Sequence, residues 1–316
     1  ALHKIADREP LIQPLINKIL ELRSLNVFLS TFVNAPLDKD SRIRCSFNIA
    51  GTETYRFSSS KNAFGTGLNL QNIPSGGLDL PNMRELFLPD QGKTFFDIDL
   101  ASADFRIVTW EADEPELKAM FREGLDPYTE IAKEFYNDPK IGKKDPRRQT
   151  FKAFAHGTNY LGTAKGLAER LGLSIHDAER TQAWYFKRFP KIKAWQEDVK
   201  TQVVKRRMVQ NVFGYRTYFF DRIEGTIFNQ AVAWIPQSTV ACLINRAYMN
   251  IYKQLREVEI LLQVHDSLAG QYPTHREEEL LPKILECARI ELPYAGDPLV
   301  IPVGIKKSTQ SWGHCA

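Results

Sequence analysis

Apolar residues recur at helical spacing between Leu11 and Phe32, at Leu15, Ile16, Ile19, Leu20 and Phe28, which predicts one or two helices. Pro36 breaks that pattern within Asn34 to Asp40. From Ile43 to Pro89 the chain changes to short strands and loops rich in Ser, Asn and Gly. The run Lys93 to Leu100, KTFFDIDL, reads as a buried strand leading into a helix from about Ser102 to Glu111, which Pro115 closes. Helical spacing returns over Pro127 to Tyr136, Pro146 to Leu161 and Ile175 to Val204, with Gly124, Gly142 and Gly172 in the breaks. Met208 to Phe219 predicts a short hairpin around Phe213-Gly214, and Ile227 to Leu255 a long helical stretch that contains Pro236. Glu259 to Tyr272 reads strand–turn–strand, His275 to Glu291 helix, and the tail from Leu299 strand again. There is no internal repeat and no low-complexity segment. The expected class is α+β, with strands in two blocks distant in sequence.

One predicted helix carries a distinctive face. Arg148, Lys152, His156 and Tyr160 lie four apart in RRQTFKAFAHGTNYLG. Residues at that spacing share a face, each about 6 Å further along the axis, so the stripe is roughly 18 Å long. It is cationic at one end and aromatic at the other, the polarity of an extended triphosphate joined to a base. Arg would hold phosphate oxygens by its fork and Lys as a point charge. The rings would offer a base a face to stack on. The same spacing also describes a solvated basic helix with two half-buried rings.

Two carboxylates stand where packing does not ask for them. Asp99 ends the FFDIDL strand and Asp266 sits at the turn of LLQVHDSLAG. If the two strands pair, both carboxylates converge at one sheet end. Such a pair suits two divalent cations with oxygen ligands, Mg²⁺ above all, which completes its shell with water and phosphate oxygens. Two ions so held would clamp the attacking and leaving oxygens of an in-line phosphoryl displacement. Asp97 shares a strand face with Asp99 by the period of two, as a third ligand or as an outward surface residue. Taken singly, each Asp is equally a turn residue accepting backbone N–H groups.

The chain has 316 residues, 43% of them apolar, and a net charge of +4. That length fits one large domain or two, and the mild cationic excess permits a nucleic-acid partner without requiring one. Many aromatics adjoin Lys or Arg, as from Trp184 to Phe189, which serves base stacking or ordinary helix packing. Cys45, Cys242, Cys287 and Cys315 form no CxxC pair, so neither a zinc ribbon nor a redox motif is expected. No charged-then-apolar leader and no apolar run long enough for a bilayer stand out, so no membrane partner is expected and a reducing cytoplasm is the default compartment. Ala1 falls within an amphipathic helical pattern, as in a processed chain or a fragment.

Several segments occur in a telling order. They are TYRFSSS (54–60), NLQNIP (69–74), DLASADFR (99–106), RRQTFKAFAHGTNYLG (147–162), RFPKIKAW (188–195) with VFGYR (212–216), PQSTVA (236–241) and QVHDSLAG (263–270). Together, from about Arg42 to Trp312, they resemble the family A DNA polymerases, the class of bacterial DNA polymerase I and its phage relatives. The resemblance implies a right-hand α+β fold with an antiparallel palm sheet, a helical fingers insertion and a truncated thumb. It divides the chain into a thumb remnant at 1–35, palm at 36–117, fingers at 118–227 and the second part of the palm at 228–316. It implies template-directed addition of dNTPs to a primer 3′-hydroxyl with release of pyrophosphate, in a bacterial or phage-infected cytoplasm. Primer–template DNA and dNTPs would be the partners. Most of the thumb and any 3′–5′ exonuclease would come from an upstream segment or a separate chain.

Carried over residue by residue, Asp99, Asp266 and the carbonyl of Leu100 would hold two Mg²⁺ ions, with Mn²⁺ able to substitute. Arg148 and Lys152 would grip the triphosphate, and Lys152 would stabilise or protonate the leaving pyrophosphate. His156 would meet the incoming nucleotide and Tyr160 the template-base position. Asp104 would guard the sugar 2′ position. Arg56, Gln71, Asn72 and Gln237 would contact primer and template, with His265 near the primer terminus. Uncharged donors suit the minor groove, whose acceptors are similar in every correct base pair. Without the resemblance, Gln71 and Asn72 read as loop residues bonding their own backbone.

The departures from the family pattern bear on sugar selectivity. Asp104 stands where Glu is usual, one methylene shorter. His156 replaces a stacking Phe or Tyr. Ser267 follows Asp266 where Glu is usual, and HDS resembles the single-subunit phage RNA polymerases. Asn229 takes the place of an Arg, and Leu161 that of a Gly. An RNA polymerase or primase-like nucleotidyltransferase is therefore the neighbouring reading, favoured by Ser267 and opposed by Asp104. A two-metal nuclease and an inactive nucleic-acid-binding subunit complete the alternatives.

Overall fold

A computed structural model describes residues 2, 5, 8–77 and 80–315. The expectation attached to Ala1 lies outside the described residues, as does part of the segment read as thumb. The chain forms two compact units, one of residues 1–99, 251–285 and 305–316, the other of residues 100–250 and 286–304.

The first unit is built on a four-stranded sheet in the order Val303–Ser308, Lys93–Leu100, Ser267–Pro273, Glu259–Val264. The last three strands run antiparallel, so the two sequence-distant strand blocks meet in one sheet. In KTFFDIDL the residues Phe96, Ile98 and Leu100 are buried on one face. On the other face burial falls along the strand, from buried Phe95 through half-buried Asp97 to exposed Asp99. That face is closed at one end by Trp312, whose ring stacks on Phe95 at 6.1 Å between centroids. The Gln13–Phe28 helix, a π-helical turn over Leu29–Val33, the short strands between Ser46 and Asn82 and most of the Glu277–Ala288 helix also belong to this unit. Phe28, Leu70, Met83, Phe95, Val264 and Trp312 form its apolar core.

Gly270 shows how tightly this sheet is packed. A Cβ there would lie 2.4 Å from the carbonyl oxygen of Glu259 and 2.8 Å from the ring of Phe96. Neither can yield cheaply, one being backbone and the other a fully buried side chain. Gly270→Ala is expected to lower unfolding free energy by roughly 2 kcal/mol through overpacking. Urea denaturation of the two proteins side by side checks this.

The second unit is mainly helical. Its helices are Ala103–Glu111, Pro115–Arg122, Pro127–Tyr136, Pro146–Asn159, Ala164–Leu171, Ile175–Arg188, Pro190–Arg206 and most of Gly225–Gln254. Pro115 opens a helix rather than merely closing one, as do Pro127, Pro146 and Pro190. The first helical position has no use for an N–H, so Pro is tolerated there at no hydrogen-bond cost. Pro190 also divides the stretch read as helical from Ile175 to Val204 into two helices. The Ala164–Leu171 helix was not foreseen.

Gly225–Gln254 corrects the reading of apolar runs. It is long and apolar enough to cross a membrane by length and composition alone, yet 72% of its most apolar window is buried within the structure. Trp234, Ile235, Val240 and Leu243 are all buried, and a helix apolar on nearly every side can be a core helix as readily as a spanning one.

Glu111 and Tyr294 form a polar pair inside this unit. The Tyr294 hydroxyl donates to Glu111 Oε1 at 2.8 Å. Burial lifts the Glu111 carboxyl from 4.5 to about 7, with the tyrosine bond working the other way. The folded chain therefore keeps a proton that the unfolded chain loses nearer pH 4.5. Stability from this group is full below that lower value and is lost as pH rises toward 7, by roughly 3 kcal/mol at most. Glu111→Gln is expected to raise stability at pH 8 and to flatten its slope between pH 5 and 7. Denaturant melts across that range decide it, and an unchanged slope would refute the assignment.

Candidate active site

Strand register brings the two predicted carboxylates to one sheet end. Asp99 pairs with Ser267, and Val264 pairs with Ser267 on its other side. His265 and Asp266 are thus the two residues of a tight hairpin turn. Opposed residues in an antiparallel pair sit roughly 5 Å apart, which sets Asp266 one residue along from the residue facing Asp99. His265 takes a positive φ of 54°, as the primed hairpin turns require of their first residue. A His in that region carries strain that neighbouring bonds must hold.

Those bonds come from two glutamines. Gln263 is 3% exposed, and its Nε2 donates to the His265 carbonyl at 2.8 Å. Gln71 Nε2 donates to the Gln263 carbonyl at 3.0 Å, to Gln263 Oε1 at 3.2 Å and to the Phe57 carbonyl at 2.9 Å. Gln71, expected as a DNA contact, therefore braces the Asp266 turn through Gln263. Asn72 is exposed beside it, and Arg56 is half-buried in the same loop region, its carbonyl accepting from Thr52 Oγ1. Gln263 was not foreseen. Its trace in the sequence is a polar residue that follows the apolar run Ile260–Leu262.

Asp97 is half-buried rather than outward. Trp312 Nε1 donates to its Oδ2 at 2.8 Å, and Arg84 lies 4.2 Å above the Trp312 ring. Burial raises the Asp97 pKa above the usual carboxylate range, against that hydrogen bond and the charge of Arg84.

The donor set suits a hard cation. Among the described residues no group of three or more His, Cys, Asp or Glu could hold a metal, so the carboxylates do not form a closed cage. Asp99 and Asp266 offer oxygen donors of the kind that a hard divalent cation takes.

The second unit displays the predicted stripe on the Pro146–Asn159 helix. Asp145 caps this helix by accepting from the Arg147 N–H at 2.9 Å. Phe151 and Phe154 are buried on its inner side. Gln196 accepts no role at the surface; it is 2% exposed and ties the helix end through the carbonyls of Thr158 and Asn159. Lys152 and His156 are exposed on the outer side, while Arg148 is half-buried. The helix ends at Asn159, so Tyr160 is its C-cap rather than a further turn. The Tyr160 ring still meets His156 edge-on at 4.7 Å. Leu161, in place of the expected Gly, holds a left-handed φ of 59°. Partial desolvation lowers the His156 pKa, opposed by Asp104 and assisted by Arg170 and Lys152. Gln237 is half-buried and Asn229 exposed on the Gly225–Gln254 helix.

Tyr128 was missed by the sequence reading, which took Pro127 to Tyr136 only as a helix. It is 4% exposed, and its ring stacks on Phe105 at 4.6 Å. Both cations of the stripe lie over it, Arg148 and Lys152 each 5.7 Å from its centroid. Burial, with Asp104 and Asp126 nearby, pushes its hydroxyl pKa far up. Half-buried Asp104 is thus placed within electrostatic reach of both Tyr128 and His156.

The model of DNA polymerase family A matches residues 1–313. The thermostable DNA polymerase I of Thermus aquaticus is 29% identical over 308 residues, and that of Thermus filiformis 31% over 312. In both, the match covers 92% of this chain and 36% of the relative, so the chain spans about a third of the curated relatives' length. Among solved structures, the POL domain of Pol1 from M. smegmatis, in complex with DNA primer-template and dNTP, superposes with a TM-score of 0.85 at 24% identity. That likeness covers 99% of this chain and 56% of the other. It shows a shared fold, the α+β right-hand polymerase fold. The chain belongs to DNA polymerase family A. Members of that family are generally metal-dependent.

Proposed function

We propose that this chain carries template-directed DNA synthesis, adding dNTPs to the 3′-hydroxyl of a primer on a template and releasing pyrophosphate. The observation that carries it is the register that sets Asp99 beside the Asp266 turn, in a chain of family A. In this reading residues 36–117 and 228–316 serve as palm, 118–227 as fingers and 1–35 as the end of a thumb. Primer–template DNA and dNTPs are the partners, and a further segment or chain supplies the rest of the thumb and any exonuclease.

Asp99, Asp266 and the Leu100 carbonyl would hold two Mg²⁺ ions, or Mn²⁺ in their stead. When bound, such ions supply a Lewis-acid clamp on the attacking and leaving oxygens. The bond from the primer 3′-oxygen to the α-phosphorus forms as the bond from that phosphorus to the bridging oxygen breaks, and the hydroxyl proton leaves to solvent. Arg148 and Lys152 hold the departing phosphates, and Lys152 Nζ stabilises the new charge or passes it a proton. His156 and Tyr160 offer their rings to the bases. Asp104 opposes a 2′-hydroxyl. Arg56, Asn72 and Gln237 meet the duplex, with Gln71 reaching it while bracing the turn and His265 at the primer end.

Ser267 favours a second reading, in which ribonucleotides are the substrate. One primed template with Mg²⁺, offered dNTPs and rNTPs in parallel, tests both. Extension with dNTPs is expected to dominate. Dominant rNTP extension would transfer the assignment to RNA synthesis, and degradation of the primer without nucleotides would transfer it to a nuclease. No reaction of any kind would overturn the enzyme reading.

A further inference from the structure

Arg148 does not stand alone on its helix. Its Nε and Nη2 both donate to Asp126 Oδ2, at 3.0 and 2.6 Å, and Nε also reaches Thr129 Oγ1 at 3.2 Å. Thr129 Oγ1 in turn donates to the same Asp126 oxygen at 2.6 Å. The Arg148 and Asp126 side chains are only 11% and 15% exposed. Asp126 holds the N-cap position of Pro127–Tyr136, yet its side chain caps no backbone N–H. It is spent on Arg148 instead. Tyr128, on the first turn of that helix, backs the guanidinium with its ring. One edge of the guanidinium, Nε and Nη2, is therefore tied, while Nη1 makes no hydrogen bond among the described residues.

We propose that Asp126, aided by Thr129, is a positioning residue that orients Arg148 so that Nη1 is presented to the terminal phosphates of the incoming nucleoside triphosphate; this rests on the polymerase reading. Two effects of opposite sign meet here. A carboxylate near a triphosphate repels it, and a carboxylate that occupies a cation competes for it. Against that, a guanidinium fixed in advance loses little rotamer freedom on binding and aims its donors. The geometry decides for orientation. All the bonds gather on one edge, to Asp126 Oδ2 and Thr129 Oγ1, so the fork is not consumed. The pair is also largely buried, and a nucleotide that displaced Asp126 would strand a buried charge.

Steady-state extension by the full chain separates the possibilities. Asp126→Ala and Asp126→Asn are expected to raise the dNTP KM roughly tenfold while kcat stays within about threefold. The KM for primer–template should not move, a split that general loosening would not produce. Asp126→Glu should recover part of the loss. In combination with Arg148→Ala, Asp126→Ala should add nothing further, because its effect passes through Arg148. Pyrophosphate, as product inhibitor, should bind more weakly in the same proportion. Should Asp126→Ala fail to fold, Thr129→Val keeps the shape and removes only the hydroxyl, and a rise of roughly threefold in dNTP KM is expected. An unchanged or lowered dNTP KM in the folded variants overturns the proposal, a lowered one marking Asp126 as a competitor. If the unmodified chain extends no primer, the polymerase reading fails and this inference falls with it; if it extends normally and the variants match it, only the inference fails.

Discussion

Replacing Asp266 by Asn is expected to lower primer extension by at least about a thousandfold, and Asp99→Asn to do the same. Each substitution keeps the size of the side chain and removes the charge that would hold a divalent ion. Asp266 lies in a two-residue turn, where Asn is as acceptable as Asp, so the hairpin should survive. Asp99 is exposed near the end of its strand, and Asn keeps a side-chain oxygen that can accept a hydrogen bond there. Melting temperature and primer–template affinity should therefore stay close to those of the unmodified chain, while turnover collapses. Extension assays at saturating Mg²⁺, run beside a binding assay, measure both. Near-normal extension by either variant would remove the carboxylate pair from the mechanism.

Lys152→Ala should have the second-largest effect, a fall in kcat on the order of a hundredfold together with a raised dNTP KM. Lys152 is exposed on the outer face of its helix. Its ammonium lies 5.7 Å from the Tyr128 ring. A solvated helix lysine usually contributes within about 0.5 kcal/mol to stability. A large kinetic loss with unchanged melting would mark it as a phosphate ligand. Lys152→Arg should restore nucleotide binding more than turnover, because the guanidinium keeps its charge and does not give up its proton. Pre-steady-state single-nucleotide incorporation separates the two. A kcat within threefold of the unmodified chain would return Lys152 to the solvated-face reading.

The two predictions concern residues in different compact units, and they were legible to different degrees. Asp99, Asp266, Lys152 and His156 were all marked out by local pattern. A period of two ending in a carboxylate, a turn between apolar strands and a spacing of four on a helix are short-range features. The roles of Arg148 and Gln71 were less complete in the sequence. Arg148 was found as a cation on the right face, but its tie to Asp126, 22 residues away, was not. Gln71 was read as a groove donor or a loop residue bonding locally, and its bond to Gln263, 192 residues away, was not foreseen.

What the sequence determined by itself was the alternation and spacing that make each element and choose its faces: the KTFFDIDL strand, the hairpin turn at Asp266, the cationic face of the Pro146–Asn159 helix, and the order of segments that marks the family. These follow from backbone geometry within a few residues. The tertiary structure alone decided which buried polar group satisfies which. Trp312 reaches Asp97, Gln263 holds the His265 carbonyl, and Asp126 turns from its helix end to Arg148. A hydrogen bond between distant segments depends on how whole elements pack, and local periodicity says which way a side chain points but not what it will meet.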